Sequence, residues 1–166
     1  CEKVGQGEEF RNIDNVCFVH PKKGELVKNP LRPLEQNLGK LPFPATELFE
    51  YQKIINENQM ALFHFNRGCP YPCTYCSAQK LAKEYGTVKE GLRQMPARKA
   101  IDTIKFTIEK YDVPSDTLLL FTDDLFTMYK DWLYEFLDLY EAEIARPFWS
   151  TARSNTASDN QFDKIG

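Results

Sequence analysis

The chain has 166 residues, 42% of them hydrophobic, which suits one ordinary domain or a small piece joined to part of another. Its net charge of −3 argues against a surface that coats nucleic acid, so nucleic acid is not expected as a partner. No apolar run approaches the roughly 20 residues that a helix needs to cross a bilayer, and the odd number of cysteines, five, argues against a disulfide framework. We therefore predict a soluble, cytoplasmic protein in a reducing compartment, without a membrane partner.

Residues 1–59 are predicted to be the tail of an N-terminal domain followed by a linker. Residues 16–19 and 25–27 read as two short strands around a turn, which predicts a small β-hairpin. A helix with Thr46 as its N-cap is expected over residues 46–58. Between them, four prolines predict a semi-rigid connector, because proline fixes its own φ and favours an extended predecessor. These prolines are Pro30, Pro33, Pro42 and Pro44.

From residue 60 the pattern changes to alternating strands and helices. The helical spacing of apolar residues and the short apolar runs predict five elements. They are strands at 60–66, 117–122 and 147–151 and helices at 97–111 and 129–143. This order predicts an α/β fold with a parallel sheet and right-handed crossovers. Because the chain begins on Cys1 and its last residues complete no element, we expect it to be a segment of a longer protein.

Three cysteines lie within eight residues directly after the first of these strands. Cys69, Cys73 and Cys76 have the spacing C-x3-C-x2-C in residues 67–77, RGCPYPCTYCS, which we call the cysteine loop. Three thiolates can ligate three irons of a cubane iron–sulfur cluster, whose full set is four cysteines. The fourth iron is then open to a substrate or cofactor, so the spacing favours a reactive centre.

The alternatives for this loop are a zinc site and three plain thiols without a metal. A structural zinc site usually takes four cysteine or histidine ligands in two close pairs, and no second pair is present in the sequence. A fourth zinc ligand would have to come from Cys17, His20 or His64, although His64 is expected to be an ordinary strand residue. Cys1 and Cys17 are otherwise expected to be inert.

Polar side chains also follow the second and third predicted strands. Asp123 and Asp124 come after the second strand and Arg153 after the third. Because the carboxyl ends of parallel strands meet at one edge, where such sheets place their chemistry, we expect these residues to face the cysteine loop. The ordinary alternatives are a helix N-terminal charge for the aspartates and a surface salt bridge for Arg153.

At this point the chain resembles the radical S-adenosylmethionine enzymes, and within them the subgroup that carries an N-terminal cobalamin-binding domain. The likeness rests on the cysteine loop, with an aromatic residue before its third cysteine, on residues 121–127, FTDDLFT, and on Arg153. Residues 5–9, GQGEE, and the connector look like the tail and linker of a cobalamin domain. The resemblance implies that residues 60–166 are the N-terminal part of a partial TIM-like (β/α) barrel, preceded by the hairpin and the proline-rich linker.

The resemblance also implies the roles of individual residues. Cys69, Cys73 and Cys76 would ligate a [4Fe–4S] cluster whose open iron chelates the amino and carboxylate groups of S-adenosylmethionine. One electron from the reduced cluster cleaves the carbon–sulfur bond, and the resulting 5′-deoxyadenosyl radical abstracts hydrogen from the substrate. The Tyr75 backbone would lie against the adenine, and Arg153 would face the methionine carboxylate or the ribose.

The sequence departs from the family pattern at two points. Many members have Gly-Gly-Glu after the second strand to receive the methionine amino group, whereas Asp123 and Asp124 stand here. A carboxylate facing an ammonium is chemically sound, so one of the two is assigned to this task and the sequence leaves open which. The cobalamin-ligating histidine motif is absent from the sequence, because His20 and His64 lack its context. Cobalamin would require another domain of the full-length protein.

The leading interpretation is an enzyme acting on a small-molecule or cofactor-precursor substrate, with a reductant such as flavodoxin or ferredoxin. Within the same superfamily, the alternative is a methylthiotransferase acting on RNA or protein. Outside it, the alternative is a non-catalytic zinc-binding interaction module. The substrate itself is not specified by this sequence.

Overall fold

The computed structural model describes residues 11–157 and divides the chain into two compact units after Leu34. In the first unit, β1 (Cys17–Val19) and β2 (Leu26–Lys28) form an antiparallel hairpin. Gly24 in its turn has a φ of +69°, a conformation that glycine adopts without steric cost. Both predicted strands are present, each displaced by no more than one residue at either end.

The second unit contains a three-stranded parallel sheet. Its strands β3 (Met60–Phe63), β4 (Leu118–Phe121) and β5 (Phe148–Ser150) lie in the order β3–β4–β5. The α-helices of the described part are α1 (Tyr51–Asn58), α2 (Ala78–Glu84), α3 (Val88–Gly91), α4 (Ala97–Lys110) and α5 (Lys130–Glu143). The five predicted elements, β3, α4, β4, α5 and β5, occur in the predicted order, and α2 and α3 are additional helices between β3 and α4.

An aromatic cluster between the sheet and the helices forms the core. Phe121 on β4 stacks on Phe148 at 4.8 Å between ring centroids and contacts Phe136 of α5 edge-on at 5.6 Å. Phe65 and Trp132 extend the cluster towards the cysteine loop. Each buried ring contributes about 1.5–3 kcal/mol through burial alone, so this cluster fixes where the strand ends lie.

Helices α4 and α5 form where the sequence predicts them because each buries one apolar stripe. In α4 the buried residues recur at helical spacing, and Pro96 stands directly before the first helical residue. The buried apolar residues of α4 are Ala97, Ala100, Ile101 and Ile104, and those of α5 are Trp132, Leu133, Phe136, Leu137 and Tyr140. The predicted bounds agree with the structure to within one residue.

The opposite face of the sheet is open in the described part of the chain. Ala61 and Phe63 are buried beneath the helices, whereas Leu62 between them is 45% exposed and Trp149 on β5 is 53% exposed. The sequence predicts bulky side chains on both faces of the first strand, each face covered by other elements. Within residues 11–157 only one face is covered. The partial TIM-like barrel therefore stays a prediction.

The helix predicted over residues 46–58 is only partly present. A 3-10 turn occupies Thr46–Leu48, and the α-helix begins at Tyr51 with Glu50 as N-cap, so the expected capping role of Thr46 is wrong. The Thr46 hydroxyl instead accepts a hydrogen bond of 2.6 Å from the Tyr111 hydroxyl. This contact between side chains distant in sequence uses the oxygen that would otherwise cap the helix.

The proline-rich connector belongs to the second unit from Glu35 onward. Leu38 in the 3-10 turn Leu38–Lys40 and Ile55 on α1 are both buried in the core that contains the sheet. The geometric division after Leu34 therefore lies upstream of the domain boundary predicted between residues 59 and 60, which stays a prediction. Over residues 11–157, every helix is too short or too polar to cross a membrane.

Candidate functional site

The cysteine loop leaves the carboxyl end of β3 and leads into α2. Cys69 and Cys73 are half-buried and Cys76 is exposed, and all three are free thiols. The Cys76 amide donates to the Cys73 carbonyl at 3.1 Å, which turns the chain between the last two cysteines. Cys17, also free and exposed, lies in the first unit, and Cys1 lies outside the described residues.

The first residues of the loop pack tightly against the segment that precedes α4. The backbones of Arg67 and Arg93 exchange two hydrogen bonds, at 2.8 and 3.0 Å. Next to them, Gly68 has a φ of +85°, and a Cβ atom there would lie 2.5 Å from the Gly91 carbonyl oxygen. Only glycine combines this conformation with this close approach, so Gly68 fixes the backbone one residue before Cys69.

Asp123 lies at the carboxyl end of β4 and is only 1% exposed. Its two carboxylate oxygens accept the backbone N–H groups of Phe65, at 3.2 Å, and of Asn66, at 2.5 Å. Burial raises the pKa of Asp123, while the donated N–H groups act in the opposite direction. Asp123 thus faces the backbone that leads into the cysteine loop.

Asp124, the next residue, is exposed. Burial lowers the pKa of Arg67, and the negative charges of Asp123 and Asp124 partly offset this effect. Of the two aspartates that the sequence leaves equivalent, Asp124 is therefore the one whose side chain is accessible to a ligand.

Arg153, in the segment after β5, lies against the cysteine loop. Its guanidinium carbon is 4.0 Å from the centroid of the Tyr71 ring, and Nη1 is 3.6 Å from the Cys73 sulfur. Nε donates to the Asn155 side chain at 3.4 Å. Stacking of a guanidinium on an aromatic face contributes about 0.5–1 kcal/mol at an exposed site, and it brings the loops after β3 and β5 together.

A metal or cluster in this loop would depend on the three thiols. Among residues 11–157, no three His, Cys, Asp or Glu side chains lie close enough together to hold a metal ion. The donor chemistry nevertheless fits an iron–sulfur cluster, since Cys69, Cys73 and Cys76 form no disulfide and share one short loop. Binding would require the loop to draw the three sulfurs together.

The histidines considered for zinc have other contacts. His64 Nδ1 lies 3.3 Å from the Thr122 hydroxyl, across the exposed face of the sheet. His20 Nδ1 accepts from the amides of Lys22 and Lys23, both at 3.3 Å, in the turn of the hairpin. These contacts are those of ordinary strand and turn residues.

A cleft of about 510 Å³ opens beside the loop. Cys73 and Cys76 line one side, and Gln79, Lys80 and Lys83 of α2 line the other. The Gln79 side chain also donates to the Pro70 carbonyl at 2.9 Å, which ties α2 to the loop. The Tyr75 side chain is 91% exposed. Reasoning from sequence gave no role to Gln79 or Tyr71, and only Gln79 had a usable signal, its place three residues after Cys76.

Comparison with known proteins gives two distant relatives. One is an anaerobic magnesium-protoporphyrin IX monomethyl ester cyclase of Rubrivivax gelatinosus, 26% identical over 61% of this chain and 17% of its own length. The other is an uncharacterized methyltransferase of Pyrococcus horikoshii, 24% identical over 78% of this chain and 26% of its own length. The chain thus spans about a quarter or less of these relatives. No protein-family model and no solved structure matches it significantly. Both relatives are named as enzymes.

Proposed function

We propose that the chain is part of a radical S-adenosylmethionine enzyme whose cysteine loop holds a [4Fe–4S] cluster. The observation that carries this proposal is the placement of three free thiols on one loop at the carboxyl end of a parallel strand. Arg153, from the third strand end, lies against the same loop. When bound, the cluster would supply the electron that cleaves S-adenosylmethionine to a 5′-deoxyadenosyl radical.

The residues of the chain have distinct proposed roles. Cys69, Cys73 and Cys76 ligate the cluster, and the exposed Asp124 receives the amino group of S-adenosylmethionine. Arg153 offers a fixed positive charge to the carboxylate of S-adenosylmethionine, and the Tyr75 backbone lies against the adenine. These assignments are supported by the position of each residue at one edge of the sheet.

The rest of the protein is proposed by extension. Residues 60–166 would be the first part of a partial TIM-like barrel, and residues 1–59 the end of a cobalamin-binding domain with its linker. We propose a small-molecule or cofactor-precursor substrate, a flavodoxin- or ferredoxin-type reductant, and methylation, cyclisation or rearrangement as the reaction. The names of the two relatives, a cyclase and a methyltransferase, agree with this range.

Anaerobic reconstitution of the full-length protein with iron and sulfide tests the proposal. We expect the absorption and electron paramagnetic resonance of a [4Fe–4S] cluster, and 5′-deoxyadenosine after addition of dithionite and S-adenosylmethionine. Cys73→Ala should abolish cluster uptake, whereas Cys17→Ala, a free cysteine of the first unit, should leave it intact. Stoichiometric zinc, with neither cluster nor 5′-deoxyadenosine, would instead establish the zinc-binding interaction module.

A further inference from the structure

The backbone between β3 and the cysteine loop is held by a side chain instead of a neighbouring strand. The ladder between β3 and β4 ends at Phe63, whose carbonyl accepts from the Thr122 amide at 2.8 Å. Phe65 and Asn66 lie beyond it, and their amides donate to the two oxygens of the Asp123 carboxylate. We infer that Asp123 is a positioning residue that sets the path of the chain into the cysteine loop.

The held segment continues without a break to the first cysteine. The Asn66 side-chain oxygen accepts from the Met95 amide at 3.1 Å, and the Arg67 backbone pairs with Arg93. Gly68, packed against Gly91, then leads directly to Cys69. Four consecutive residues before Cys69 are therefore fixed, and the carboxylate of Asp123 joins the backbone of this segment to the sheet by hydrogen bonds.

Asp123 also connects the loop to the third strand. The Thr151 hydroxyl, just after β5, donates to the Asp123 backbone carbonyl, and the Phe126 amide donates to the Thr151 carbonyl at 3.2 Å. The ends of all three strands consequently meet at one residue. A shift of Asp123 would move the start of the cysteine loop relative to Arg153, which lies two residues beyond Thr151.

The chemistry of a carboxylate explains why aspartate occupies this position. The two adjacent backbone N–H groups donate to two separate oxygens that point the same way, and an ionised carboxylate supplies both as acceptors of charge-assisted hydrogen bonds. An asparagine of the same shape offers one oxygen and turns an NH2 group towards the other amide. Asp123→Asn therefore preserves the volume while removing one acceptor and the charge.

The proposal is tested first without any metal, by hydrogen–deuterium exchange of the full-length protein. In Asp123→Asn the amides of residues 65–68 should exchange roughly tenfold to a hundredfold faster, because a buried charge-assisted hydrogen bond is lost. Asp124→Asn makes the same change in an exposed neighbour and should leave the exchange rates of these amides unchanged. Val113 is a buried residue before β4, at the other end of the strands. Val113→Ala should lower the stability of the whole unit and serves as the comparison.

Two results of this experiment would overturn the inference. One is unchanged exchange at residues 65–68 in Asp123→Asn. The other is faster exchange spread over the whole second unit, as in Val113→Ala. If Asp123→Asn does not fold, hydrogen–deuterium exchange of the parent protein tests the inference. The Phe65 and Asn66 amides should then be as protected as those of β3. Exchange as fast as in an exposed turn refutes the role.

A second readout, on the reconstituted protein, rests on the proposed function. Asp123→Asn should bind less iron per chain and give a broadened electron paramagnetic resonance signal, whereas Val113→Ala should give the parent spectrum. An unaltered signal in Asp123→Asn would contradict positioning of the cysteines. If the parent itself takes up no iron, the proposed function fails, and the exchange comparison still decides the role of Asp123.

Discussion

At the scale of single residues, Asp123 and Asp124 differ in environment although they are neighbours of the same type. The Asp123 carboxylate is buried against two backbone amides, while the Asp124 side chain is exposed at the same edge of the sheet. One carboxylate is therefore used within the chain, and the other is available to a ligand. This difference supports the proposed division of roles, in which Asp123 positions the backbone and Asp124 binds the ligand.

Asp124→Asn should weaken the binding of S-adenosylmethionine to the reconstituted, oxidised protein. The expected loss is about three- to tenfold, because an exposed charged hydrogen bond contributes roughly 1 kcal/mol. Equilibrium dialysis measures it. Asp116→Asn, an exposed aspartate at the amino end of β4, is the control and should bind as the parent does. Equal affinity in Asp124→Asn and the parent would remove Asp124 from the site.

Sequence alone predicts where this candidate site lies but not its internal arrangement. The cysteine spacing, the two aspartates after the second predicted strand and Arg153 after the third point to one edge of the sheet, because these signals depend on local pattern and on the rule for parallel strands. Which aspartate turns inward depends on where the Phe65 and Asn66 amides lie, 57 or 58 residues away along the chain. The stacking of Arg153 on Tyr71 depends on tertiary structure in the same way.

At the scale of elements, periodic segments are predicted well and capped or irregular ones poorly. The positions of α4, α5 and β4 follow from sequence because each has a regular series of apolar residues, part of which the structure buries. Helices α2 and α3 were missed. The capping box of α3, in which Thr87 and Glu90 exchange hydrogen bonds, was a signal that could have located it.

The outer edge of β3 is closed by a side chain. The Tyr51 hydroxyl donates to the Leu62 carbonyl at 3.0 Å and accepts from the Leu62 amide at 3.1 Å, which satisfies both backbone groups that a neighbouring strand would use. An open strand edge invites pairing with another chain. With Tyr51 in place, any further strand of this sheet is expected to add beside β5, as the predicted barrel requires.

Tyr51→Phe should therefore destabilise the protein by about 1 kcal/mol and expose the Leu62 amide to exchange. Denaturant unfolding and residue-resolved hydrogen exchange measure the two effects. Tyr75→Phe removes the same hydroxyl group from a side chain that is 91% exposed and serves as the control. An unchanged exchange rate at Leu62 would show that the hydroxyl does not close the edge.

At the scale of the whole molecule, a charge cluster on the surface links the two long helices. Glu143 at the end of α5 contacts two cations of α4, Arg98 at 2.5 Å and Lys105 at 2.8 Å. Hydrogen bonds from Arg98 and then from Lys105 lower the pKa of Glu143 to about 2, from an ordinary value of 4.5. Between these values the folded chain binds fewer protons than the unfolded chain, so its stability falls as the pH drops.

Glu143→Gln should consequently lower the free energy of unfolding at pH 7, and the difference from the parent should shrink as the pH falls from 4.5 towards about 2. Denaturant unfolding at a series of pH values measures this difference, and added salt should reduce it because the charges lie at the surface. Glu141→Gln, in an exposed residue of the same helix, should show little difference at any pH. A difference for Glu143→Gln that is independent of pH would mean that packing, and not its negative charge, joins the two helices.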